Sequence, residues 1–188
     1  MKNFDWDRTF RKVYDKAVQT YQAGNRRLET FYKTDERTFL ASIACTPQEL
    51  YDFVQDWCGA NEPSFETVLL ITAVRRDYFL FVQKGQLSRE VIDMEALPAK
   101  GAELAGIAWL PRIIAKAKAK LRGEMPPELM YGCGGDRPFL RSVNIHPADF
   151  LRMVWSAGDD DQKVIDFVLA QKAKSESALA INNLSCPI

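Results

Sequence analysis

The chain carries one segment twice, and this repetition limits the folds open to it more than any other feature. Asp35-Glu36-Arg37-Thr38-Phe39-Leu40-Ala41-Ser42-Ile43 lies over Gly135-Asp136-Arg137-Pro138-Phe139-Leu140-Arg141-Ser142-Val143 at an offset of 100 residues. Arg, Phe, Leu and Ser coincide without a gap. At the same offset Pro47 falls on Pro147, Val54 on Val154, Val68 on Val168 and Lys16-Ala17 on Lys116-Ala117. Repeated units pack against their copies. The expected fold is therefore all-α: two similar helical halves related by a pseudo-two-fold axis. Residues 1–84 form the first half, 85–108 a connector, 109–174 the second half and 175–188 a loosely held tail. Both halves should share one core, because a half of about 90 residues buries less of its surface alone.

Local signals place the helices. Trp6, Phe10, Val13, Tyr14, Ala17 and Tyr21 recur at spacings of three and four, which predicts a helix over 5–23 closed by Gly24. A short helix fits 35–43. Thr46-Pro47-Gln48-Glu49 reads as an N-cap, a first-turn proline and a capping box, opening a helix that runs to Trp57 and ends at Gly59. The next helix starts near Ser64, and Tyr78–Val82 at its end suits either helix or strand. Gly85, Pro98, Gly101 and Gly106 punctuate the connector, with one short helix expected near Ser88–Leu97. The second half repeats the plan: 109–122, a Pro126-Pro127 break, 136–143, a helix opened by His146-Pro147 and ended by Gly158, and a last helix from Asp159-Asp160-Asp161 to Lys174.

Composition excludes several functions. With 25 basic and 25 acidic residues the formal net charge is zero, so no global field draws the protein to nucleic acid or an acidic membrane. The four cysteines, Cys45, Cys58, Cys133 and Cys186, form no C-x-x-C pair and are expected as reduced thiols in a cytoplasm. Met1–Asp7 has no apolar leader segment, and no stretch approaches the roughly 20 apolar residues of a membrane span. A single histidine removes most zinc sites, and no metal or cofactor is expected.

Trp109-Leu110-Pro111-Arg112-Ile113-Ile114-Ala115-Lys116-Ala117-Lys118, then Gly123, Tyr131-Gly132-Cys133 and Asp136-Arg137-Pro138-Phe139-Leu140, form a recognisable pattern. It resembles the bacterial proteins grouped as domain of unknown function 5069, whose stretches read L-P-R-x-x-D-K-x-R and C-x-x-D-x-x-F-L. The resemblance covers about residues 105–170. Ala115 stands where that pattern has Asp, and Lys118 where it has Arg. It implies a shared fold and a bacterial cytoplasmic setting, and no reaction.

The candidate site residues are Arg112, Lys116, Tyr131, Asp136, Arg137 and His146. Arg112, Lys116 and Lys120 fall at i, i+4, i+8 and form a row read as the wet side of helix 109–122. Leu110, Ile113, Ile114, Ala117 and Leu121 form its apolar stripe. His146 is first a helix-start residue and second a general base. Cys133, in a glycine-rich turn, is first part of a plain turn, then of a phosphate cradle, then a nucleophile. Arg37 and Arg137, present in both halves, are first structural. Arg75-Arg76 suits a helix C-terminus. The favoured function is a non-catalytic helical module that binds a protein partner or itself, and nucleic acid is disfavoured. The alternative is a protein or enzyme that holds a phosphate or carboxylate in a cleft between the halves, lined by the six candidates.

Overall fold

Helices begin where the caps stand. The structure, a computed structural model, describes residues 3–184. Helix α1 spans Trp6–Gln22 and buries Phe10, Val13, Tyr14 and Ala17 along one face. A single turn, α2 (Leu28–Phe31), follows in a stretch with no helical periodicity, then α3 (Thr34–Ser42). In α4 (Pro47–Ala60) the Thr46 hydroxyl accepts the Glu49 amide at 3.0 Å, as an N-cap should. The expected capping box is not completed by Glu49, whose carboxylate is taken by Lys120. Helix α4 also runs through Gly59 and stops at Asn61, which adopts the left-handed conformation at φ 56°.

Helix α5 (Phe65–Asp77) is capped by Ser64 and continues without a break into a π turn, Tyr78–Val82. The aromatic run is therefore helical, not extended. The Gln83 amide reaches back to the Tyr78 carbonyl at 3.1 Å, and the widened turn buries Phe79 while leaving Phe81 exposed. The helix expected near Ser88–Leu97 does not form. The Ile92 amide is held by the Glu124 carbonyl at 2.9 Å, and only a 3-10 turn at Met94–Ala96 follows. Strands β1 (Glu103–Leu104) and β2 (Ile107–Ala108) then pair antiparallel around Ala105 and Gly106, both at positive φ, as a tight hairpin requires.

Helix α6 spans Leu110–Arg122, α7 Asp136–Ser142 and α8 Pro147–Ala157. His146 caps α8, its Nδ1 accepting the Ala148 amide at 3.2 Å. Helix α9 (Asp161–Leu184) passes Lys174, where its end was expected. No glycine or proline lies between Ser175 and Leu184 to stop it. The remainder of the expected tail, with Cys186, lies outside the described residues.

Residues of α1, α3, α4 and α5 (Phe10, Leu40, Phe53, Ile71) join residues of α6, α7, α8 and α9 (Ile113, Leu140, Phe150, Val168) in one contiguous core. Helix α8 packs against α5, α6 and α9, and α1 against α4 and α5. Among the described residues no helix is long and apolar enough to cross a membrane.

Candidate functional site

Helix α6 decides where the charges go, and it reverses one expectation. Two members of its supposed wet row are buried: Lys116 is 2% exposed and Lys120 is 4% exposed, while Arg112 is half-buried. Arg112 donates to the Pro98 carbonyl at 2.7 Å, Lys118 pairs with Asp161 at 2.7 Å and Arg122 with Glu124 at 2.7 Å. The helix is enclosed on nearly every side, and its three lysines meet acids remote in sequence. They are not displayed for a phosphate backbone.

Lys116 and Asp136 form the innermost pair, at 2.5 Å. Asp136 is fully buried and also accepts Trp109 Nε1 at 3.0 Å and the Gly132 amide at 2.9 Å. Lys116 Nζ lies 3.3 Å from Cys133 Sγ. Trp109 sits at φ 71°, a conformation costly for a bulky residue, and its indole bond to Asp136 helps hold it there. A Cβ on Gly135 would come within 2.6 Å of the Trp109 ring, so glycine there makes room for the indole. The glycine-rich turn thus sends its Gly132 amide inward to Asp136.

The other candidates have partners of their own. Tyr131 donates to the Pro147 carbonyl at 2.8 Å. Arg137 pairs with Asp56 at 2.7 Å and donates to the Gly132 carbonyl at 2.9 Å. His146 Nε2 faces Thr67 Oγ1 at 3.4 Å. Arg137 and His146 line an open groove of about 530 Å³ with Arg141 and Glu62, and Arg141 and Glu62 form a bidentate pair at 2.6 and 2.9 Å. The six candidates do not converge on one cavity.

A different set, which shares Tyr131 with the six, does converge. A cavity of about 340 Å³ opens between α4, the end of α5, the end of α6 and the 123–131 loop. Arg37, Arg75 and Lys120 reach it as cations, Glu49 and Asp52 as acids, and Met125, Leu129 and Met130 give it an apolar wall. Arg75 is the anomaly. It is 2% exposed, yet no carboxylate pairs with it among the described residues. Its Nη1 donates to two neutral oxygens, Gln83 Oε1 at 2.6 Å and the Leu121 carbonyl at 2.9 Å, and its guanidinium lies 5.7 Å from the Phe79 ring centroid. Its Nη2 is buried without a hydrogen-bond partner among the described residues. The π turn delivers both Phe79 and Gln83 to it. Burial pulls the Arg75 guanidinium down to about 10, and Glu124, one carboxylate acting on it, is engaged by Arg122. A neighbouring thiol adds no negative charge, because burial pushes Cys45 up to about 11.

Lys120 meets Glu49 across the cavity wall. Burial pulls its ammonium down to about 8, while the touching carboxylate acts in the opposite sense and favours the charged form. Asp52 is pushed up to about 6 by burial, with Asp56 adding to the rise and the Gln48 hydrogen bond opposing it. The folded chain therefore holds the Asp52 proton more tightly than the unfolded chain. That contribution to stability is present below about pH 4 and is lost as pH rises through about 6. Asp52→Asn is expected to stabilise the fold by about 1 kcal/mol at pH 7 and by nothing below pH 4, the gain being reduced by solvent around a half-buried side chain. Urea midpoints at the two pH values check it.

Gly123, at φ 73°, is the other constrained position: a Cβ there would fall on Arg75 Nη2. Gly123→Ala should cost about 1–2 kcal/mol in urea unfolding, from backbone strain and the displaced guanidinium.

Arg75 was legible in one respect. It falls on the stripe Val68, Ile71, Thr72, Arg75, Phe79, a charge at buried-face spacing. The helix continues past it, so its C-terminal dipole does not account for it. The roles of Glu49, Asp52 and Lys120 in one cavity depend on contacts 71 residues apart, as in the Lys120–Glu49 pair, and no local pattern carries these.

No curated protein and no solved structure matches the chain. Residues 95–185, from the 3-10 turn of the connector through the last helix, match the model of the family described as Domain of unknown function (DUF5069), and over this span the chain resembles that family.

Proposed function

We propose that the protein binds a small organic anion in the cavity between α4, α5 and α6. One observation carries this reading: among the described residues Arg75 is a buried charge with no acid against it and with Nη2 unbonded, on the wall of a cavity lined by two further cations and two acids. An isolated buried charge costs several kcal/mol, and an anion in the cavity would offset that cost. The test is thermal unfolding of the purified protein against carboxylates, phosphorylated metabolites and nucleotides, with Arg75→Met as control. Saturating ligand at 100 times its Kd should raise stability by about 2.7 kcal/mol in the parent and not in the variant. A panel without any shift removes the reading.

The same proposal includes a duplicated architecture in a bacterial cytoplasmic protein, its halves related by a pseudo-two-fold axis. Several equivalences support it. Lys16 pairs with Glu36 as Lys116 pairs with Asp136. Arg37 donates to the carbonyl of Tyr32, and Arg137 to that of Gly132. Ala44 and Asn144 both turn at positive φ, 54° and 53°, before the N-caps Thr46 and His146. One corner, with Arg37, Thr46 and Pro47, lines the 340 Å³ cavity, and the other, with Arg137, His146 and Pro147, lines the groove.

A second reading, a module that binds a protein partner or itself, is favoured by a separate observation. Phe81, Val82, Leu87, Val91 and Met94 are exposed along one short segment. Sedimentation velocity of the parent against Phe81→Ser/Val91→Ser tests the self-association form. A monomer at all concentrations removes it.

A further inference from the structure

We infer that the anion is a 2-oxo acid and that Lys120 joins its carbonyl carbon reversibly as an imine. This rests on the proposed anion cavity and adds a covalent step to it.

The geometry assigns each part of such a molecule a place. Arg75 Nη1 bonds to the carbonyl of Leu121, the residue after Lys120, so the two cations flank one short stretch of α6. A 2-oxo acid carries its carboxylate and its electrophilic carbonyl on adjacent carbons. The carboxylate suits Arg75, whose guanidinium stands on the cavity wall with no acid partner among the described residues. The carbonyl then lies toward Lys120. The side chain of the acid has the apolar wall of Met125, Leu129 and Met130 to rest on. A volume of about 340 Å³ accommodates a small acid.

Lys120 is also equipped for the chemistry. It is buried, and its polar contact among the described residues is the Glu49 carboxylate. Burial eases loss of its proton. Lys116, equally buried, provides the contrast: it is held by Asp136 and Cys133 and lines no described cavity.

The step balances within the site. Glu49 takes one proton from the Lys120 ammonium, and the freed amine lone pair forms a C–N bond to the oxo carbon. The C=O π pair moves to oxygen, which takes a proton from the new ammonium to give a neutral carbinolamine. Glu49 then returns its proton to the hydroxyl, the C–O bond breaks, and water leaves. The product is a protonated imine facing the Glu49 carboxylate. One oxo acid and one lysine ammonium give one iminium and one water, with no oxidant or reductant consumed.

The test is borohydride trapping on the full chain, with pyruvate and 2-oxobutyrate as probes and propionate as the analogue lacking the oxo group. Intact mass should show one adduct equal to the acid less one oxygen, and peptide mapping should place at least ten-fold more of it on Lys120 than on any other lysine. Lys120→Arg, which keeps the charge toward Glu49, should abolish it, and Arg75→Met should reduce it at least ten-fold. Mapping on the unmodified chain decides the matter even if a variant fails to fold. Stabilisation by propionate and by the oxo acids without a trapped adduct would overturn the imine and leave the anion site standing. An adduct spread evenly over surface lysines would also overturn it. Neither stabilisation nor adduct would remove both.

Discussion

Replacing Asp136 with alanine is expected to cost about 3–5 kcal/mol of folding stability, the largest loss anticipated for any single polar side chain here. Asp136 is fully buried and accepts from Lys116, from Trp109 Nε1 and from the Gly132 amide. Truncation leaves the Lys116 ammonium buried without a carboxylate and frees the indole that helps hold Trp109 at φ 71°. In a domain whose total stability is about 5–15 kcal/mol, this lowers the midpoint by roughly 10 °C. The double variant Lys116→Met/Asp136→Leu should recover at least half of the loss, because it removes both buried charges together. Calorimetry of the three proteins measures this. A loss below 1 kcal/mol for Asp136→Ala would mean that water reaches the pair.

Arg75→Met is expected to act in the opposite direction on stability and to end anion binding. Arg75 is as buried as Lys116 but has no acid partner among the described residues. Removing its charge removes a desolvation cost, and methionine follows much of the same path. Against that stand two lost hydrogen bonds, to Gln83 and to the Leu121 carbonyl. The balance lies between no change and a gain of about 2 kcal/mol. Anion affinity, in contrast, should fall at least 30-fold, because about 2 kcal/mol or more is lost with a buried charge pair. Urea unfolding and isothermal titration separate the two effects. A stability loss above 1 kcal/mol would show that Arg75 serves to close the end of α6, and would remove the argument for the cavity.

The two variants differ because of something invisible in local sequence. Lys116, Lys120 and Arg75 each occupy a helical position whose spacing is plain. Whether a cation costs or stabilises depends on the acid opposite it. Asp136 stands opposite Lys116, Glu49 opposite Lys120, and no described carboxylate opposite Arg75. The row Arg112, Lys116, Lys120 looked solvated because charged residues usually face water. Lys116 and Lys120 are buried because α6 lies within the bundle and acids distant in sequence pair with them.

Sequence alone determined the helical architecture, most helix starts and the resemblance over the second half. Caps, prolines and apolar spacing act within a few residues, so Thr46, Ser64 and His146 start their helices where short-range chemistry dictates. Tertiary structure decided the rest. It turned Glu49 from a capping box to Lys120, held the connector to Glu124 in place of a helix, and widened the end of α5 so that Phe79 and Gln83 enclose Arg75. Each outcome is a competition between a local hydrogen bond and a burial available only after distant segments meet, and no periodicity encodes the winner.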